Sequence, residues 1–322
     1  MSVSIMTPPC FFLGSCNCNQ FIKVSFGVHS SLLAYSSNMM AYSEPVDIYV
    51  HSELELCVKE ILSCIKPTVA DIQNREIAIN ELTDAIQMDH RLSGASVKPF
   101  GSFISNLYSR WGDLDISIDM TQYSASSGNR RRKLNALENI MWALQRTGVA
   151  NNMKFIRLAR VPLVVYQSRC YNISCDISID NQAGYVKSCL LRLISYIDER
   201  FRELVLLIKE CAKAQHLNDP RAGTLNSYSL CLLIIFHFQT CRPAIFPPLR
   251  DLYKGNIVND LKGHTTWRHV EDSFAAKSAT FMSQFSGQRN QSSICQLLIS
   301  FFDKVILQEL CWYLIILFGI CY

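Results

Sequence analysis

Charge is scarce in this chain. Only 18% of its 322 residues are Asp, Glu, Lys or Arg, and the formal balance at neutral pH is +4. So small an excess does not announce a nucleic-acid binder by itself, although it leaves room for a local basic groove. No Cys-x-x-Cys pair occurs among the 14 cysteines, which are scattered and often sit in apolar runs, as Cys231 does in SLCLLIIF. That argues against a disulfide scaffold and reads as buried thiols of a reducing compartment, the cytoplasm or the nucleus. Cys10, Cys16 and Cys18 cluster without a partner at zinc spacing, and read as part of a flexible leader. A membrane-spanning run is missing too: the uncharged stretch Leu310–Tyr322 has 13 residues, where a span needs about 20.

What is present is apolar material, at 49%, enough for two packed units of a globular protein. Residues 1–50 hold only Lys23, Glu44 and Asp47 as charges and show no sustained period, so they read as a poorly ordered extension. They lack the charged start and apolar core of a signal peptide and the arginines of a transit peptide, and translation from Met39 or Met40 is conceivable. From Ser52 the spacing turns helical. Leu54, Leu56, Val58, Ile61, Leu62 and Ile65 form a stripe that stops at Lys66-Pro67. A second helix is expected over Val69–Met88, with Ile72, Ile77, Ile79, Leu82 and Ile86 inside. Ala95–Ser102 reads as a short strand delivering a tight Gly101-Ser102 turn, and Ser105–Trp111 as a helical turn or loop. The basic run Asn129–Lys133 reads as a solvated loop, with RNA phosphate as an alternative partner.

One pentapeptide, DISID, is written twice, in GDLDISID (Gly112–Asp119) and in CDISID (Cys175–Asp180). Strand side chains alternate between faces, so Leu114, Ile116, Ile118 and Met120 point to a core while Asp113, Asp115, Ser117 and Asp119 point the other way. The second copy repeats this, with Cys175, Ile177 and Ile179 inward. If the two strands are neighbours, their carboxylates share one face. Acids so close are costly unless cations neutralise them. Three of them holding two divalent ions are what an in-line phosphoryl or nucleotidyl displacement needs.

Gly101-Ser102, a gap of ten residues and then Asp113-Leu-Asp115 resembles the signature of the DNA polymerase beta-type nucleotidyltransferases. The later motifs narrow it. Asp176–Asn181, Ile197–Arg202, Leu204–Glu210, Ala212-Lys213 and Gly223–Leu230 resemble the non-canonical poly(A)/poly(U) polymerases. His237–Cys241 and Pro247-Pro248-Leu249 point, within them, to plant terminal uridylyltransferases that tail small RNAs lacking a protective 3′ methyl group. The resemblance covers about Leu62 to Lys304.

The resemblance implies Asp113, Asp115 and Asp176 as catalytic metal ligands for Mg2+ or Mn2+, with Asp176 on the side of the RNA 3′ hydroxyl. The Gly101-Ser102 turn would hold phosphate oxygens through backbone N–H groups and the serine hydroxyl. Asn181 and Ser188 match positions near the nucleotide sugar, Lys209 and Lys213 match phosphate contacts, Ser227 a phosphate oxygen contact, and Tyr228 a base stack. The four-residue spacing of Lys209 and Lys213 sends both ammonium groups off one helix face. Beside LCLLIIFHF, Tyr228 alone would read as core, and His216 and His237 fit no metal spacing and read as structural. Asp119 and Asp180 have no catalytic counterpart.

Two departures stand out within the covered region: Cys211 where a tryptophan usually follows Lys-Glu, and Val165 where a lysine is common. Beyond Lys304 the apolar sequence 305–322 has no counterpart, which implies a truncated or altered C-terminus lacking the segment that reads the uracil edge. Weak activity and little preference for UTP over ATP are therefore expected. The implied fold is α/β and two-lobed: a mixed-sheet catalytic unit at 68–185, and a helical unit at 186–304 joined by the helix at 52–66. The expected activity is template-independent transfer of UMP from UTP to RNA 3′ ends, those of small RNAs above all. Adenylation and a catalytically weak RNA-binding relative are the alternatives, and membrane association through the tail is the remote one.

Overall fold

The computed structural model describes residues 45–120, 130–252, 267–284 and 289–306. In chain order they form α1 (Pro45–Ile65), α2 (Val69–Gln87), β1 (Ser96–Pro99), α3 (Gly101–Ile104), β2 (Leu114–Asp119) and α4 (Arg130–Thr147). There follow β3 (Ala150–Ile156), β4 (Leu163–Ser168), β5 (Ser174–Ile179), α5 (Gln182–Ser195), α6 (Glu199–Ala214) and α7 (Ser227–Thr240). The last elements are α8 (Leu249–Leu252), α9 (Trp267–Gln284) and α10 (Ile294–Ile306). The expectations for residues 1–44, for the leader cysteines and for the tail beyond Ile306 fall outside these residues. No helix among the described residues is long and apolar enough to cross a membrane.

The strands form one mixed sheet in the order β1-β2-β5-β4-β3. The β2–β5 pair is parallel and every other pair antiparallel. One face is apolar. Leu114, Ile116, Ile118, Val164, Tyr166, Cys175 and Ile177 meet Leu82 and Ile86 of α2 and Leu137, Ile140 and Leu144 of α4 in a closed core. Their alternation along each strand is what a half-buried sheet requires. A second core joins α1, α5, α6, α7 and α10, and takes in Leu107 from the loop that leads to β2. The acidic face of the sheet is left for the cleft between the two cores.

Helix starts follow local chemistry. Thr68 and Asp71 form a reciprocal capping box at α2, and Asn181, Asp198 and Asn226 cap α5, α6 and α7 through their side-chain oxygens.

Several expectations need correction. Pro45 stands at the first position of α1, where its missing N–H costs nothing, so the helix begins inside the presumed extension. Leu56, at 61% exposure, lies off the stripe. On α2, Ile72 and Ile77 face outward and the buried face is Arg75, Ala78, Leu82, Ala85 and Ile86. Arg75 is tolerated there because its guanidinium donates to the backbone oxygens of Asp71, Arg110 and Gly112 and lies over the Tyr108 ring. Ser105–Trp111 is a loop, one of the two forms expected, whereas Arg130–Lys133 open a helix, with Lys133 donating to the Ile179 oxygen. Cys64 and Cys170 are exposed, while Cys175, Cys189, Cys211, Cys231 and Cys295 are buried as expected.

Candidate active site

The repeated pentapeptides lie side by side with no offset. Asp115 pairs with Asp176, Ile116 with Ile177, Ser117 with Ser178 and Ile118 with Ile179. Because paired residues in a sheet share a face, the identical spelling puts two carboxylates together. The final acids of the two copies have other work. Asp119 receives Lys98 Nζ at 2.6 Å, and Asp180, at φ +47°, accepts the Met120 N–H at 2.8 Å.

The same row continues across the sheet: Val165 on β4 pairs with Asp176, and Lys154 on β3 pairs with Val165. Lys154 is exposed on the acidic face, about 10 Å from Asp176 at roughly 4.8 Å per strand. Single-residue matching missed it, and the signal was the alternation of β3, where Met153 and Phe155 take the core side.

The Gly101-Ser102 turn is fitted against Asp115. Gly101 has φ +66°, and a Cβ there would fall 1.9 Å from Asp115 Oδ2, so only glycine fits. Phe100 N–H donates to the Asp115 backbone oxygen at 2.9 Å, and the Ser102 N–H reaches the Asp115 carboxylate. Gly101 N–H donates to Ser188 Oγ at 2.7 Å, and Ser188 donates onward to the Gly184 oxygen at 2.8 Å. The turn lines the cleft, and its Gly101 N–H is held by Ser188 at the point where the two walls meet.

A cleft of about 720 Å³ separates the two cores. One wall carries Gly101, Ser102, Asp113, Asp115 and Asp176, and the other Ser188, Lys209, Lys213, Ser227 and Tyr228. Asn181 lies off this lining and caps α5, its carboxamide oxygen accepting from Gly184 N–H and its own N–H bound to Ser117 Oγ. Lys209 lines the cleft from a buried position: it is 8% exposed and donates to the Leu107 oxygen at 2.9 Å, because α6 is buried almost all round. Burial pulls its ammonium pKa down. Lys213 is the exposed member of the pair and meets Glu210 at 3.1 Å. Ser227 Oγ is within hydrogen-bonding reach of Asn218. Tyr228 packs on the helical core, and Lys187 holds its ammonium 4.7 Å from the ring centroid. Lys187 escaped notice as one more cation on an exposed helix face.

Burial, with Asp176 and Asp113 close by, pushes the Asp115 carboxyl up to about 7. Among the described residues, no three His, Cys, Asp or Glu side chains stand around one point at metal-binding distance. The three acids all line the cleft. As a donor set they are all hard oxygens, which suits Mg2+ or Mn2+ and not a soft metal.

A model of the central palm domain of mitochondrial-like poly(A) RNA polymerases matches residues 54–196. Protein HESO1 of Arabidopsis thaliana is 48% identical over 258 residues, covering 78% of this chain and 50% of that protein. The chain belongs to the non-canonical poly(A)/poly(U) polymerase family. Its family kinship extends to the human poly(A) RNA polymerase GLD2, 26% identical over 235 residues, 70% of this chain and 47% of that one. The fold matches a crystal structure of the Cid1 poly(U) polymerase with Mg 3′-dATP bound, with TM-score 0.58 and 23% identity, covering 79% of this chain and 73% of that one. This family member spans about half the length of the curated relatives it matches.

Proposed function

We propose that the chain transfers UMP from UTP to an RNA 3′ hydroxyl without a template, releasing pyrophosphate. The observation that carries this is the in-register pair Asp115–Asp176, with Asp113 beside it, facing a wall of lysines and an aromatic across one cleft. Asp113, Asp115 and Asp176 would hold Mg2+ or Mn2+, which when bound supply Lewis acidity at the attacking hydroxyl and at the triphosphate. The rest falls to side chains. Asp176 receives the 3′ hydroxyl, Lys209, Lys213 and Ser227 orient the triphosphate, and Tyr228 stacks on the base. Lys154 lies where an RNA strand leaving Asp176 across β4 and β3 meets a cation. In this reading 68–185 is the catalytic unit, and 186–304 with helix 52–66 closes the cleft.

Uracil and small-RNA ends are favoured by the motif resemblance to plant terminal uridylyltransferases and by the identity to the Arabidopsis protein. The test is tailing of a labelled RNA, with a 3′ hydroxyl and with or without a 2′-O-methyl group, by each of four nucleotides in MgCl2 or MnCl2. Weak extension of the unmethylated RNA with UTP, accompanied by extension with ATP and lost in Asp115→Ala and Asp176→Ala, is expected. Extension with ATP alone would replace the assignment by adenylation. RNA binding without extension would leave an RNA-binding relative.

A further inference from the structure

Glu210 is a buried acid, at 4% exposure, that the proposed chemistry does not use. Its Oε1 accepts from Ser109 Oγ at 2.9 Å and from Lys213 Nζ at 3.1 Å, and its Oε2 accepts from Trp111 Nε1 at 3.0 Å. Ser109 and Trp111 belong to the loop that runs directly into Asp113, and Lys213 lines the opposite wall of the cleft. One carboxylate therefore touches both walls.

The loop is gripped elsewhere too. Arg202 donates to the Asn106 oxygen and Lys209 to the Leu107 oxygen from α6, while Arg75 of α2 holds the oxygens of Arg110 and Gly112. Those bonds end on backbone carbonyls of the loop alone. Glu210 is the contact that reaches the loop side chains and Lys213 at once, and as a buried carboxylate it is costly to leave without its donors.

We infer that Glu210 is a positioning residue that sets the loop before Asp113 in register with Lys213, so that acids and phosphate cation act on one nucleotide. This rests on the nucleotidyl-transfer reading. Glu210 reaches the reaction through two arms, one through Ser109 and Trp111 to the acids, the other through Lys213 to the triphosphate. Cutting the arms separately must give separate defects.

The experiment is steady-state RNA tailing with titrated UTP and titrated MgCl2, together with thermal melting. Four proteins are compared: wild type, Glu210→Gln, the double variant Ser109→Ala/Trp111→Phe, and Lys213→Ala. Glu210→Gln should raise both the KM for UTP and the half-saturating magnesium concentration by about tenfold or more. The double variant should lower kcat and raise the magnesium requirement, with KM for UTP within about twofold of wild type. Lys213→Ala should raise KM for UTP and leave the magnesium requirement alone. Lower melting temperatures with unchanged kcat, KM and magnesium requirement would make Glu210 structural and overturn the inference. So would the same pattern of defects in the double variant and in Lys213→Ala. Should Glu210→Gln fail to fold, those last two variants decide the matter. An inert wild type sinks the nucleotidyl-transfer reading and the inference with it, whereas an active wild type with unsplit defects sinks the inference alone.

Discussion

Asp115 and Asp176 are direct cross-strand partners on adjacent parallel strands. Burial, with the Asp176 and Asp113 charges beside it, lifts the Asp115 carboxyl from 3.8 to about 7. An acid raised in the folded state costs stability once ionised, so without divalent cations this group's contribution should fall as pH rises from about 4 to about 7. In EDTA, Asp115→Asn should therefore gain melting temperature relative to wild type more at pH 8 than at pH 5. MgCl2 should raise the melting temperature more at pH 8 than at pH 5. The same variant should lose activity by more than the about 100-fold typical of losing an outer-shell metal partner. A pH profile unaltered by the substitution would show that the pair does not repel.

Gly101→Ala should be inactive and destabilised. A left-handed backbone costs a non-glycine residue about 1–2 kcal/mol, and the new Cβ would also displace the Asp115 carboxylate. Gly223→Ala is the matched control, since its φ is +79° but nothing lies within 4 Å of the added Cβ. Stability measurements should show the conformational cost in both, and tailing assays a large loss only in Gly101→Ala. Equal activity in the two would remove the turn from the site.

Lys154→Ala should weaken RNA binding without altering the KM for UTP. Loss of one phosphate contact should reduce the slope of log affinity against log salt by about 0.7 to 1. Filter binding over a salt series measures it, and an unchanged slope would exclude Lys154 from the RNA path.

His237 is fully buried beside Phe301, with Ser300 Oγ 3.3 Å from Nε2 and no partner on Nδ1 among the described residues. Burial, aided by Lys304, lowers its pKa from 6.5 to about 4. The unfolded chain therefore binds the proton first, and stability should be lost as pH falls through 6.5 toward 4. The loss is on the order of 3 kcal/mol. In urea unfolding, the stability of His237→Leu relative to wild type should be higher at pH 4.5 than at pH 7.5.

The sheet face and its acids could be read directly, because period-two alternation and an exact repeat leave one sensible pairing. Side chains decided by packing could not. Ile72 and Ile77 look like core and are exposed, while Arg75 looks like surface and is buried on three backbone oxygens. Lys209 matched a motif, but its burial comes from helices distant in sequence. Lys154, Lys187 and Glu210 became visible only through register and through contacts across about a hundred residues, as between Ser109 and Glu210.

The parallel pairing of the two DISID strands also sets an order of assembly. β3, β4 and β5 can zip together through short connections, and β2 can pair with β1 just upstream, but the other edge of β2 waits for a partner about sixty residues downstream. At about 5 to 20 residues per second, roughly 3 to 12 s of synthesis separate Asp115 from Asp176. A ribosome-bound chain stalled before Ser174 would hold an inert site and a bare apolar strand edge, the kind of segment chaperones shield. Emergence of β5 covers the edge and completes the acid pair in one event, while the lysines and Tyr228 of the opposite wall are still to be made.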